Sequence, residues 1–132
     1  MYRAVTRRIE VTVEPNFLPE RSSVERSRYF WSYTIVITNS SNETVQLRNR
    51  RWIITDAAGR QQEVRGEGVI GEQPVIAPGG RFEYTSGVPL STASGFMTGS
   101  YEMVSETGER FEIAVPTFSL DSPSPSGKRV LN

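Results

Sequence analysis

Residues 28–39 read RYFWSYTIVITN, and their period of two decides the architecture. Tyr29, Trp31, Tyr33, Ile35 and Ile37 share one parity, while Ser32, Thr34 and Thr38 share the other. Large apolar side chains alternating with small polar ones mark a strand with one buried face, and aromatic and β-branched residues suit a pleated surface. This segment is expected to be a central core strand.

Working outward, IEVTVE places Ile9, Val11 and Val13 on one face and Glu10, Thr12 and Glu14 on the other, a second strand with one wet side. PNFLPERSSVERS, with two prolines and many charges, reads as a connection whose middle can run along a sheet edge. After the polar turn NSSNET, the run VQLRNRRWIITD changes parity between Val45/Leu47 and Trp52/Ile54. Either both faces are partly covered or a bulge near Asn49 to Arg51 resets the register. AAGR then turns the chain into QQEVRG, as a hairpin. RFEYTS is a strand with Phe82 and Tyr84 inward, VPLSTASGF a loop, and MTGSYEMVS and RFEIAV the arms of a hairpin with Gly108 at its turn. Pro116 is expected to end that strand, leaving PTFSL as a short apolar edge.

No repeat, heptad or amphipathic helix interrupts the pattern. Seven to eight short antiparallel strands at regular spacing predict an all-β sandwich of two sheets. One domain is expected over residues 1–120. The Pro- and Ser-rich 121–132 reads as a flexible C-terminal tail.

Composition narrows the chemistry further. In 132 residues there is no histidine and no cysteine. Triads, Cys-His pairs, thiolate zinc sites and imidazole bases are therefore excluded. The 13 glutamates sit mostly on the polar parity of strands, so neither catalytic residues nor a metal-ligand set is expected, Glu63, Glu67 and Glu72 included. Fifteen basic and 15 acidic residues balance to zero, which gives no field for nucleic acid or an anionic membrane, although 14 of the basic residues are arginines. Without an apolar run long enough for a signal or a span, a cytoplasmic location is the expectation.

Two places carry candidate sites. In GEGVIG, residues 66–71, Gly66, Gly68 and Gly71 have the GxGxxG spacing of dinucleotide sites. That fingerprint needs a helix starting at the loop, and Pro74 followed by VIAPGG forbids one. Two readings stay open: a nest of backbone amides for a phosphate, helped by Arg65 and by Arg51, or a crossing between strands whose gap Val69 and Ile70 plug. The second place is the cluster Arg48, Arg50, Arg51 and Trp52, a candidate interaction surface because arginine and tryptophan anchor interfaces. Its competing reading puts Trp52 in the core and leaves the arginines solvated.

RYFWSYTIVITN, RRWIITDAAG, EVRGEGVIGEQPVIAPG, FEYTSG, the spaced Gly95, Met97, Gly99, Tyr101 and Met103, and FEIAVPTFSL together resemble the ApaG family over about residues 8–120. The resemblance implies a fibronectin type III-like or immunoglobulin-like β-sandwich. It implies a protein-interaction role, as assigned to the similar domain of some eukaryotic F-box proteins, and a link in bacteria to cobalt and magnesium handling. The family's glycine motif, proposed to contact pyrophosphate, is matched by Gly66, Gly68 and Gly71, and no family metal ligand or catalytic set carries over. The expectation is thus a non-catalytic module without cofactor that binds a protein partner. The alternative is a sensor of pyrophosphate or dinucleoside polyphosphate at the glycine loop. Open sheet edges also leave room for a homodimer.

Overall fold

The computed structural model describes residues 1–123, which form two antiparallel sheets packed face to face. One sheet runs β1 (Tyr2–Thr6), β2 (Ile9–Phe17), β3 (Tyr29–Asn39), β7 (Arg81–Leu90). The other runs β5 (Gln61–Glu67), β4 (Val45–Asp56), β8 (Ser94–Ser105), β9 (Arg110–Asp121), with the two-residue β6 (Val75–Ile76) added beside β4. This is the expected immunoglobulin-like sandwich. As its alternation predicts, β3 is a central strand, and Trp31, Tyr33, Ile35 and Ile37 are all buried.

Among the described residues nine strands form where seven to eight are expected, for local reasons. MYRAVT, which carries little apolar weight, pairs as β1 with β2, and Thr6 Oγ1 accepts the Ala114 amide of β9 at 3.1 Å. β2 continues through Pro15 to Phe17, beyond the point where β1 ends opposite Val13. A proline is tolerated there because that stretch is an edge with no further ladder to supply. Likewise β7 takes in Val88–Leu90, which reads as loop in sequence, by pairing with Tyr29–Trp31.

Pro116 does not end β9. The register moves from Gly99↔Val115 to Met97↔Phe118, so Pro116 and Thr117 together oppose Thr98 in a bulge. A bulged residue leaves the ladder, and the missing N–H costs nothing there. The extra residue also resets the parity, so that Ile113 and Val115 before it and Phe118 and Leu120 after it all point inward. Asp121 still belongs to β9 and Ser122 donates to the Ala93 carbonyl, so the sandwich passes the boundary expected at 120. The remainder of the expected tail, 124–132, lies outside the described residues.

The two sheets are tied by polar contacts as well as by the apolar core. Trp31 Nε1 donates to the Asp121 carbonyl at 3.0 Å, and the buried Tyr84 and Tyr101 hydroxyls meet at 2.6 Å. Asn39, fully buried, donates to the Glu43 and Ile76 carbonyls and accepts from Ser41, so its amide is satisfied on both sides.

Candidate functional site

A second bulge determines which arginine enters the sandwich. β4 pairs Leu47 with Met103 but Asn49 with Glu102, leaving Arg48 as the extra residue. Parity before the bulge buries Val45 and Leu47; after it, Arg50, Trp52 and Ile54 share the inward face. The bulge falls one residue before the interval the sequence suggests. Its consequence is larger than a register change, because Arg50 now stands opposite the fully buried Tyr101 while Arg51 faces away.

The expected cluster of Arg48, Arg50, Arg51 and Trp52 is thereby broken up. Trp52 is only 3% exposed and packs edge-on against Tyr33, Tyr101 and Phe118, so it belongs to the core and not to an interaction surface. Arg48 turns its Nε to Gln46, and its carbonyl accepts from the Gly68 amide and the Gln73 side chain. Arg51 lies on the outer face with Arg65, and both donate from Nε to one oxygen of Glu63, at 2.6 and 2.7 Å. Those two hydrogen bonds hold the Glu63 carboxyl below its ordinary range.

Arg50 does something different. Its Nη1 donates to the Glu67 and Gly68 carbonyls at 3.0 and 2.9 Å, stapling the glycine loop to β4. The charge has no carboxylate partner among the described residues, and Nη2 and Nε have no acceptor there.

The glycine loop itself is a tight hairpin. Val69 and Glu72 exchange both backbone hydrogen bonds, at 2.8 and 2.9 Å, across a two-residue tip of Ile70 and Gly71. Both tip residues have positive φ, 43° and 79°, the pattern of a type I′ turn. The amides of Gly68, Val69 and Glu72 are already donating within the protein. Of the four residues grouped as a phosphate loop, Gly66, Gly68 and Gly71 come together here, but Arg65 points to the outer face. Val69 is buried and plugs the gap as expected, whereas Ile70 does not: it is 54% exposed. An isoleucine in the left-handed region is strained, because its branched Cβ crowds the backbone.

The sandwich is closed on one side and open on the other. β1 and β2 pack against β9, and Arg7 at the β1–β2 turn bonds Glu109 through both terminal nitrogens. β5 and β7 make no comparable contact, and each has only one strand neighbour. Between them lies a hollow of about 430 Å³. Arg50, Tyr33, Tyr84, Ser86 and, at the exposed rim, Gln62 supply its polar lining, and Val64, Ile70, Val88 and Pro89 are among its apolar residues. Burial pushes the Tyr33, Tyr84 and Tyr101 hydroxyls above their ordinary range, and the positive charge of Arg50 acts in the opposite sense on all three. They are protonated hydrogen-bonding groups at neutral pH. Sequence reading missed this set because its members lie on β3, β4 and β7 with no shared spacing; the shared parity of Arg50 and Trp52 was the one available sign.

Comparison with known proteins follows the same lines. The ApaG domain model matches residues 19–105. The chain is 82% identical to Protein ApaG of Bradyrhizobium diazoefficiens over the full length of both, and 55% identical to Protein ApaG of Xanthobacter autotrophicus, again over the full length of both. Among solved structures, the ApaA protein from Bordetella pertussis superposes with a TM-score of 0.85 at 47% identity, covering 87% of this chain and 94% of that one. A sandwich with an inward arginine under a glycine hairpin is thus carried by a chain that belongs to the ApaG domain family.

Proposed function

We propose that the chain is a non-catalytic binding module that engages a protein partner through the open side of its sandwich. The observation that carries this reading is the asymmetry between the two sides. The β1/β9 side is sealed, while the β5 and β7 edges flank a hollow lined by an arginine, phenols and aliphatic groups. Unpaired edges invite an added strand, and a fixed mixture of apolar and polar groups is the usual lining of a recognition site. The lack of histidine and cysteine supports a role without chemistry. Among the described residues no group of three His, Cys, Asp or Glu could hold a metal ion, so an effect on cobalt or magnesium handling would act through the partner.

The pyrophosphate or dinucleoside polyphosphate reading has less support, since the amides it would use at Gly68, Val69 and Glu72 have internal acceptors. Affinity capture from bacterial extract separates the two. Retention of a protein by the wild-type chain and by an outer-face Arg65→Glu variant, but not by a variant whose mouth is narrowed without a change of charge by Gln62→Trp, is the expected result. No protein above the tag-only control, together with saturable heat on titrating pyrophosphate, would replace this reading with the sensor.

A further inference from the structure

Resting on that binding reading, we infer that the mouth between β5 and β7 recognises an extended segment of the partner that carries an acidic side chain beside an aliphatic one. Arg50 receives the carboxylate and Ile70 the aliphatic group.

Three independent features converge on this chemistry. The first is charge. Arg50 is turned toward the interior face by the Arg48 bulge, and its guanidinium keeps Nη2 and Nε without an acceptor among the described residues. A guanidinium presents its donors in a planar fork that matches a carboxylate. Among the described residues Arg50 shares the lack of a carboxylate partner with Arg8, Arg21, Arg26, Arg28 and Arg48, and of these it alone lines the hollow.

The second is Ile70. A two-residue turn with both φ positive favours Asn-Gly or Gly-Gly, yet the first tip position holds an exposed isoleucine at φ 43°. Strain of this kind persists where it serves a contact. Ile70 lines the same hollow as Arg50, as do Val64 and Pro89.

The third is backbone. β5 and β7 both end their sheets, so an extended chain entering the mouth finds free edge groups to pair with. In an extended segment, successive side chains point to opposite faces, so an acidic and an aliphatic residue two apart would reach the mouth together.

The test is an NMR titration of the full isotope-labelled chain with the capped peptide Val-Thr-Glu-Thr-Val, whose valines stand two residues from the acid, and its Gln counterpart. Expected are shifts at the Arg50 Nε–H, the Ile70 methyls and Val64, with the Glu peptide bound roughly tenfold tighter, the usual weight of a charge-assisted hydrogen bond. Arg50→Met should erase the difference between the two peptides. Gln62→Glu, an exposed change at the rim, should weaken the Glu peptide alone. Ile70→Asn should weaken both about threefold, as loss of a half-exposed aliphatic contact predicts. Equal affinity for both peptides, shifts confined to the β1/β9 side, no shift at millimolar peptide, or displacement of the Glu peptide by a lower concentration of inorganic pyrophosphate would each overturn the assignment. Extract capture that survives Arg50→Met with Ile70→Asn would remove this inference and leave the binding module standing, whereas capture of nothing would remove the module.

Discussion

The guanidinium of Arg50 occupies the space above Gly66, its partner across β4 and β5: a β-carbon built on Gly66 would stand 2.7 Å from Nη2 and 2.8 Å from both Cζ and Nη1. Near-equal distances to three atoms of one plane mean that the glycine lies against the face of that plane. Gly66 is therefore needed for its missing side chain and not for an unusual φ.

From this contact follows a prediction with two parts. The group in the way is the far end of a flexible side chain, so Gly66→Ala should cost no more than about 1 kcal/mol, below the usual range for overpacking a rigid core. It should still push Arg50 off the Glu67 and Gly68 carbonyls. In an Arg50→Ala background the same change should be neutral or stabilising, by up to about 1 kcal/mol, because alanine narrows the unfolded ensemble. Urea denaturation of the four proteins gives the cycle. A penalty above about 3 kcal/mol that persists in the Arg50→Ala background would show that something other than Arg50 is displaced.

The other two glycines of the motif should rank differently. Gly68 has φ 63°, and a β-carbon there would run into the Glu72 carbonyl, which is rigid backbone inside the hairpin. Gly68→Ala should cost about 2–4 kcal/mol, as strain and overlap together. Gly71, at φ 79°, has open space around it, so Gly71→Ala should cost only about 1–2 kcal/mol, the left-handed penalty alone. Thermal melts of the two variants decide this, and the reverse order would mean that the hairpin is not the turn described.

Strand existence was legible in the sequence wherever alternation was long, as in β3, because one buried face forces a period of two. Boundaries failed at Pro15, Pro89 and Pro116. The prolines read as strand breakers, yet each sits at an edge or a bulge, and only the pairing partners show that. The site was harder to see for a related reason. A bulge at Arg48 exchanges inside for outside over the following residues, so adjacent arginines that look like one patch face opposite ways. The parity conflict between Leu47 and Trp52 signalled the bulge. Carried two residues back from Trp52, it would have placed Arg50 inside. Nothing in sequence spacing links Arg50 to Tyr33 or Tyr84, since those approach from the opposite sheet.

The buried phenols make stability depend on alkaline pH. Burial raises Tyr33, Tyr84 and Tyr101, so the folded chain holds these protons more tightly than the unfolded chain does. Their contribution is complete below about pH 10, where unfolded tyrosine ionises, and is lost as pH rises beyond it. Urea midpoints should be flat from pH 8 to about 9.5 and then fall, with a slope approaching about 1.4 kcal/mol per pH unit for each such proton. Tyr84→Phe should shallow that slope and cost about 1 kcal/mol at neutral pH, because the Tyr101 hydroxyl loses its partner at 2.6 Å. A midpoint independent of pH up to about 11.5 would mean that these hydroxyls are not sequestered by folding.

Ile70 supplies the sharpest separation of stability from function. At φ 43° it bears the left-handed penalty of a β-branched residue, and Gly71 already supplies the second half of an Asn-Gly turn. Because its side chain is 54% exposed, little burial is lost on replacing it. Ile70→Asn should therefore stabilise the protein by roughly 0.5–1 kcal/mol, a rise of about 2–5 °C in Tm for a domain of this size. If the tip served only to turn the chain, that substitution would be an improvement in every measurement. On the reading developed above, the better-folded variant binds its partner less well, so a loss of binding could not be assigned to unfolding. A Tm equal to or below that of the wild type would show that Ile70 is not strained at this position, and would withdraw the argument that its strain serves a contact.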